Sequence, residues 1–360
     1  MRSRAVTVHR LLILLGVILL ALLVLAGVAR RARGHDASVP GATTAARSAD
    51  ELGRIPIFVY HEIGDTEERW QRERERFRAD LELLHDRGYR PIGIGELVDG
   101  RIPLPAGTSP VVVTFDDASP SQFGYLERDG ALEIDPESAV GIWLEFARSH
   151  PEWRNRAAFC VLTGAGDGHA MFGERGIDGQ RTEWRHAKLR HLVRLGFELC
   201  GHTATHANLG KLTASQVSAH IARGLAAIDS AVPGERVRAF ALPFGAWPED
   251  RSAVRAGRWR DPTTGRVLEY RFDAILEAWG GTVRSPFDPA FDPLRLTRVQ
   301  ATADLVERTL DQLDRDGRYV SDGDPGTIAR RARPAPAGTF TDVAGRARGE
   351  GESAPTEESP

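Results

Sequence analysis

Seven short apolar runs recur between residues 55 and 300, and segments with helical spacing separate most of them. The runs are Ile55–Ile63, Val111–Phe115, Arg156–Leu162, Phe197–His202, Val237–Gly245, Phe272–Ala278 and Leu294–Gln300. Their length and their content of branched and aromatic residues read as strands. Between them, Phe77, Leu81 and Leu84 share one helix face that ends at Gly88. Asp135-Pro136 reads as a helix start with proline at the first position, and Thr213 with Gln216 as a capping box. Leu189, Leu192 and Val193 precede a glycine cap at Gly196. Strands that alternate with helices imply a parallel sheet with crossover connections. The pattern allows a doubly wound sheet or a barrel. In either, working groups gather at the C-terminal ends of strands. No glycine-rich phosphate loop follows any strand.

The two ends of the chain stand outside this pattern. After a short flank, residues 1–10, residues 11–29 are apolar without interruption. At ~1.5 Å per residue they span the ~30 Å hydrocarbon layer, so they read as a single transmembrane anchor. A cleaved signal peptide is the alternative, but arginines stand directly after the run, at Arg30, Arg31 and Arg33. Residues 30–54 lack an apolar period and read as a flexible tether, and residues 330–360 as a disordered tail. The folded domain is expected over 55–329, membrane-anchored and extracytoplasmic, or secreted if the leader is cleaved.

Charge excludes one class of partner. The formal net charge is −3, with no basic signature of nucleic-acid binding. The arginine-rich run around Trp70, "ERWQRERERFRAD", alternates with glutamate and reads as a solvated helix face. The two cysteines, Cys160 and Cys200, are too few for a disulfide scaffold or a cysteine-based zinc site. Each ends an apolar run and reads first as a small core residue, with a bridge between neighbouring strands as the alternative outside the cell.

The chemistry collects where strands end. "VVVTFDD" carries Asp116 and Asp117 at the end of a buried run, and "FELCGHTATH" carries His202 and His206. Adjacent carboxylates repel and are costly to desolvate; a metal that takes one and leaves the other free relieves both problems. Two imidazoles and one carboxylate make a three-ligand site with an open position, the pattern of catalytic zinc. An isolated pair of histidines four apart is usually a surface feature, but the neighbouring aspartate pair changes the balance.

"TFDD" at Thr114–Asp117, "HTATH" at His202–His206 and "ALPFG" at Ala241–Gly245 resemble the motifs of polysaccharide deacetylases of the NodB-homology, carbohydrate esterase family 4 type. "VYHEI", at Val59–Ile63, is similar to the branch of extracellular poly-N-acetylglucosamine deacetylases. The resemblance implies an α/β fold, a distorted (β/α) barrel with about seven parallel strands. It implies a divalent metal, most often Zn2+, held by Asp117, His202 and His206. It implies Asp116 as the general base and the backbone N–H of Phe244 as an oxyanion donor. The activity implied is hydrolysis of N-acetyl groups on an extracellular N-acetylglucosamine-containing polysaccharide.

The chain departs from that pattern in two places. Ala241 stands where many members carry an arginine that orients the base. No histidine follows His220, and Arg298 stands where many carry the histidine that acts as general acid. An arginine is a poor acid because its pKa exceeds ~12. His61, at the end of the first strand, is the replacement candidate, with a structural histidine as the plain alternative. The departures keep open an O-acetyl esterase and a catalytically idle carbohydrate-binding or cell-wall protein. Trp279 reads as a buried core tryptophan, with a place lining the acetyl pocket as the alternative; residues 164–180 read as a flexible loop, with a substrate-facing rim from which His169 reaches the site as the alternative.

Overall fold

The computed structural model describes residues 48–164, 170–173 and 178–330. The expected anchor at 11–29, most of the tether, His169 and nearly all of the tail lie outside the described residues. Among the described residues no helix is long and apolar enough to cross a membrane.

The strands are β1 (Ile57–Tyr60), β2 (Tyr89–Pro91), β3 (Ser109–Phe115), β4 (Ala158–Val161), β5 (Glu198–Gly201), β6 (Ala239–Ala241), β7 (Ala274–Leu276) and β8 (Val299–Gln300). They form one parallel sheet in the order β7-β6-β5-β4-β3-β1-β8, with β2 paired to the start of β3. Just before β8, Leu296 bridges Leu276 of β7, while Val299 pairs with Phe58 of β1. The last segment thus touches both ends of the sheet and curls it into the expected barrel of seven strands. The eighth strand, β2, is short, and its three residues give too little alternation to be read from sequence.

Long helices cover the outside: α1 (Arg74–Asp86), α2 (Ala139–Ser149), α3 (Arg185–Leu195), α4 (Ala214–Ala231) and α5 (Leu305–Asp316). The strand period of two splits the core into two layers. Val111, Val113 and Phe115 face the helices, in a layer rich in large aromatics. Val112 faces the barrel interior, where the neighbours are small: Ala158, Cys160, Cys200, Ala239, Ala241 and Ala274. A ring this narrow has no room for larger side chains at every level.

Several expectations change. Cys160 and Cys200 are not free core residues; they stand opposite one another in β4 and β5 and form a disulfide inside the barrel. The helix expected to start at Asp135-Pro136 starts later: Ser138 caps α2, its hydroxyl accepting from the Gly141 N–H, and Asp135 and Pro136 remain in the preceding turn. Residues 48–54, expected as the end of the tether, pack on the domain: Asp50 pairs with Val320, and Glu51 is buried. In the arginine-rich run, Arg72 is buried against Asp80 and Glu67, so only part of that run is a solvated face. Two antiparallel hairpins, Tyr125–Arg128 with Ala131–Ile134 and Ala256–Arg260 with Val267–Arg271, were not anticipated. The first was legible: Asp129-Gly130 takes the paired positive φ of a tight hairpin turn.

Candidate active site

The barrel mouth receives Asp116 and Asp117 from β3, His202 and His206 from β5, His61 from β1 and Phe244 from the turn after β6. Together they line a cavity of about 320 Å³. Inward parity along β3 runs Val112, Thr114, Asp116, so Asp116 points down the axis. Asp117 then takes φ 73 and Ala118 φ 54, left-handed values that are costly for residues with a Cβ. This turn carries the second carboxylate toward β5 instead of out to solvent. Left-handed backbone recurs at Thr203, His206 and Phe244. The three loops that bring the polar groups together are therefore all strained, as is common where geometry serves chemistry.

Asp117 Oδ1 lies 3.2 Å from His202 Nε2 and 3.5 Å from His206 Nε2. One donor atom from each of the three side chains falls within 4.8 Å of the others. The residues fit a divalent cation on three counts. Asp117 Oδ1 is buried without a hydrogen bond, which is expensive unless something else satisfies it. The His202 Nδ1–H donates to the Ala241 carbonyl at 2.9 Å, which turns the Nε2 lone pair toward Asp117. Burial would lower the His202 pKa, but the Asp116 and Asp117 carboxylates beside it hold it above its usual value, so the spot favours positive charge.

Asp116 is buried and held by Arg298. The guanidinium donates to both carboxylate oxygens, at 2.8 and 2.7 Å, to Thr114 Oγ1 at 3.1 Å and to the Glu277 carbonyl at 2.7 Å. Burial would raise the Asp116 pKa; Arg298, followed by His202, more than offsets this and keeps the carboxyl ionised well into acid. The expected loss of support for Asp116 therefore does not occur. Arg298, just before β8, supplies the arginine that Ala241 on β6 does not. The signal was present in "LRLTRVQ", where Leu296, Arg298 and Gln300 share one face of a strand.

Residues 152–257 match the family model described as polysaccharide deacetylase. This stretch of the chain is similar to a polysaccharide deacetylase domain. The match includes both histidines and the Pro243–Gly245 turn. The fold is also similar to that of the Streptococcus pyogenes deacetylase PplD, solved in complex with acetate. That likeness has 16% identity and a TM-score of 0.51, over 72% of this chain and 98% of that one. A polysaccharide deacetylase from Bacillus cereus is similar at 17% identity and a TM-score of 0.51, over 73% of this chain and 69% of that one. At such identities the likeness is one of fold.

Other placements at the mouth of the barrel differ from expectation. Trp279 is not a core residue; it is 61% exposed at the rim. Trp70, in the run read as a helix face, lies before α1 and also lines the cavity. His61 is present at the mouth, its ring 4.9 Å from that of Trp70, and burial lowers its pKa below the usual value. Lys188 was missed altogether. It is buried on α3, and its ammonium donates to the Phe172 carbonyl. The Phe172 N–H in turn donates to the Ala118 carbonyl at 2.8 Å, so the segment Met171–Gly173 straps the turn that follows Asp117.

Proposed function

We propose that the protein is a metal-dependent hydrolase that removes N-acetyl groups from an N-acetylglucosamine-containing polysaccharide outside the cytoplasm. The observation that carries this reading is the pairing of an Arg298-locked, ionised Asp116 with the buried, hydrogen-bond-free oxygen of Asp117 between two imidazoles. A divalent cation on Asp117, His202 and His206, with zinc the natural choice for this donor set, would supply Lewis acidity to the acetyl carbonyl and to the attacking water. Asp116 accepts the water's proton. Its lowered pKa makes it a weak base that is always ready. The Phe244 N–H, on the left-handed turn at the rim, is the candidate donor to the developing oxyanion. His61, which lines the same cavity, is the candidate to return a proton to the leaving amine; its pKa is lowered by burial, so it must first gain that proton from the base.

The disulfide supports an oxidising compartment, since such bonds are rare in the cytosol. With residues 11–29 as an anchor, the catalytic domain would face outward.

One observation favours a second reading. Arg298 occupies the place of an acid and is fully engaged with Asp116, and an ester's leaving alcohol depends less on a strong acid than an amine does. An O-acetyl polysaccharide esterase therefore remains the alternative. The test is acetate release from N-acetylglucosamine oligomers, peptidoglycan and acetylated xylan, before and after metal removal and zinc return. The proposal expects zinc-restored release from an N-acetylated substrate. Release from xylan alone selects the esterase. His206→Ala that retains a full complement of metal would overturn the ligand assignment.

A further inference from the structure

Asp116 and His61 follow neighbouring strands, β3 and β1, and they are held by different means. Asp116 has the Arg298 guanidinium on both carboxylate oxygens, and its N–H donates to the Tyr60 carbonyl at 3.0 Å. The His61 imidazole makes no side-chain hydrogen bond among the described residues; its ring touches Trp70 at 4.9 Å. Its place is therefore set through its backbone.

Gln122, which no step above uses, holds that backbone. It is fully buried, and its Nε2 donates to the His61 carbonyl at 2.5 Å and to the Asp116 carbonyl. A side-chain amide nitrogen carries two hydrogens, so both are spent on the two strand ends. The same contacts fix the orientation of the amide, since its oxygen would repel both carbonyls if turned round. Gln122 is itself anchored from outside the barrel. Its carbonyl accepts from the Val140 N–H at 3.0 Å, in the first turn of α2. One residue earlier, the Ser121 carbonyl accepts from the Ala139 N–H at 3.0 Å, and Ser121 Oγ from the Ile63 N–H at 3.0 Å. The start of α2 thus sets the end of β1 against the end of β3. Gln122 Oε1 is buried without a hydrogen bond, a cost that an apolar side chain of the same shape would avoid. Stability alone does not account for a glutamine here.

We infer that Gln122 is a positioning residue for proton transfer: by clamping the His61 backbone to that of Asp116, it keeps the imidazole where it reaches the leaving nitrogen. This inference rests on the roles given to Asp116 and His61 above and deepens them. In that sequence the attacking water gives a proton to Asp116, His61 gains it, and it passes to the nitrogen as the C–N bond breaks, releasing acetate and a free amine. Without Gln122 the base keeps its guanidinium, so the damage falls on His61. A misplacement of about 1 Å can cost ~10²-fold in rate. An amine must be protonated to leave, whereas 4-nitrophenolate leaves without a proton. The loss should therefore depend on the leaving group, which a general loss of structure would not produce.

The experiment compares kcat/KM of the full-length, zinc-loaded protein on N-acetylglucosamine oligomers and on 4-nitrophenyl acetate, for the wild type, Gln122→Met, His61→Ala and the double variant. Methionine keeps the length of the side chain and removes both donors. Gln122→Met should lose about 10–100-fold on the amide and less than about threefold on the activated ester, with metal content unchanged. Added to His61→Ala, it should cost little more on the amide. The imidazole NMR signal of His61, assigned by its absence from His61→Ala, should shift in Gln122→Met while those of His202 and His206 stay. Equal losses on the two substrates would overturn the inference. So would wild-type activity on the amide, or a loss that adds in full to that of His61→Ala. If Gln122→Met does not fold, Gln122→Asn, one methylene too short to reach both carbonyls, carries the same expectations. The deacetylase reading fails separately, if the wild type releases acetate from no N-acetylated substrate. The NMR signal then decides the role of Gln122 by itself, and an unmoved His61 signal overturns it.

Discussion

Arg298 and Lys188 are both buried cations, 1% and 0% exposed, and the molecule treats them in opposite ways. Arg298 lies inside the barrel with both nitrogens of its fork on Asp116. Lys188 lies outside the barrel against a backbone carbonyl, and no carboxylate among the described residues reaches it. Burial alone lowers its pKa from 10.5 to about 7. The difference shows two uses of a buried base. A guanidinium cannot give up its proton, so it must be paired, and the pair aims a carboxylate. An ammonium can give it up, so it can be buried without a carboxylate partner as a strut whose charge, and with it whose contribution, depends on pH.

The largest effect expected from breaking this contrast is on the carboxylate that Arg298 serves. Asp116→Asn should reduce turnover by ~10²–10⁴ while metal content is kept, because the base is lost and the three ligands remain. Acetate release and metal analysis on the same sample check it; near-normal turnover would move the base elsewhere.

Arg298→Met removes one partner and strands a buried charge. It should cost about 3–5 kcal/mol in chemical denaturation and about 10–100-fold in turnover. Adding Asp116→Asn to that variant should recover much of the stability but none of the activity. A double variant no more stable than the single would show that Arg298 acts through packing and not through charge.

Lys188 sharpens the other half. Its folded pKa of about 7 lies below the unfolded value near ~10.4, so between these values the unfolded chain binds more protons. Stability should therefore be lowest below about pH 7 and rise by up to about 1.4 kcal/mol per pH unit above it. In Lys188→Met this rise should be absent, read from denaturation midpoints at pH 6 to 9. The Arg298 pair gives no slope in that window. Its linked group is Asp116, whose pKa is lowered on folding; the stability it adds is present above the unfolded carboxyl value of ~3.9 and is lost only in stronger acid.

The smallest effect is at Thr114, whose hydroxyl accepts from Arg298 and donates to the Phe58 carbonyl at 3.0 Å. Thr114→Val should cost about 1 kcal/mol, and a cycle with Arg298→Met should show the two losses coupled.

Local spacing was enough to reveal the alternating strands and helices, the Thr213–Gln216 cap and the Gly196 stop, because those depend on neighbours a few residues apart. The aspartate pair and the histidine pair were legible for the same reason: each is a short motif at a strand end. What the sequence left open was every decision made between distant strands. Whether the sheet closed depended on the segment Leu296–Gln300 reaching both β7 and β1. Whether the cysteines joined depended on the register of β4 against β5. The partner of Asp116 lies 182 positions away, and the sequence reading noted Arg298 only as standing where an acid would be, because a motif position says nothing about which carboxylate a side chain reaches. Trp70 and Trp279 were assigned to a helix face and to the core because period and hydrophobicity describe a residue's own segment. Only the tertiary structure sets which loops meet at the barrel mouth, since it depends on strand order and curvature, and these follow from packing across the whole domain.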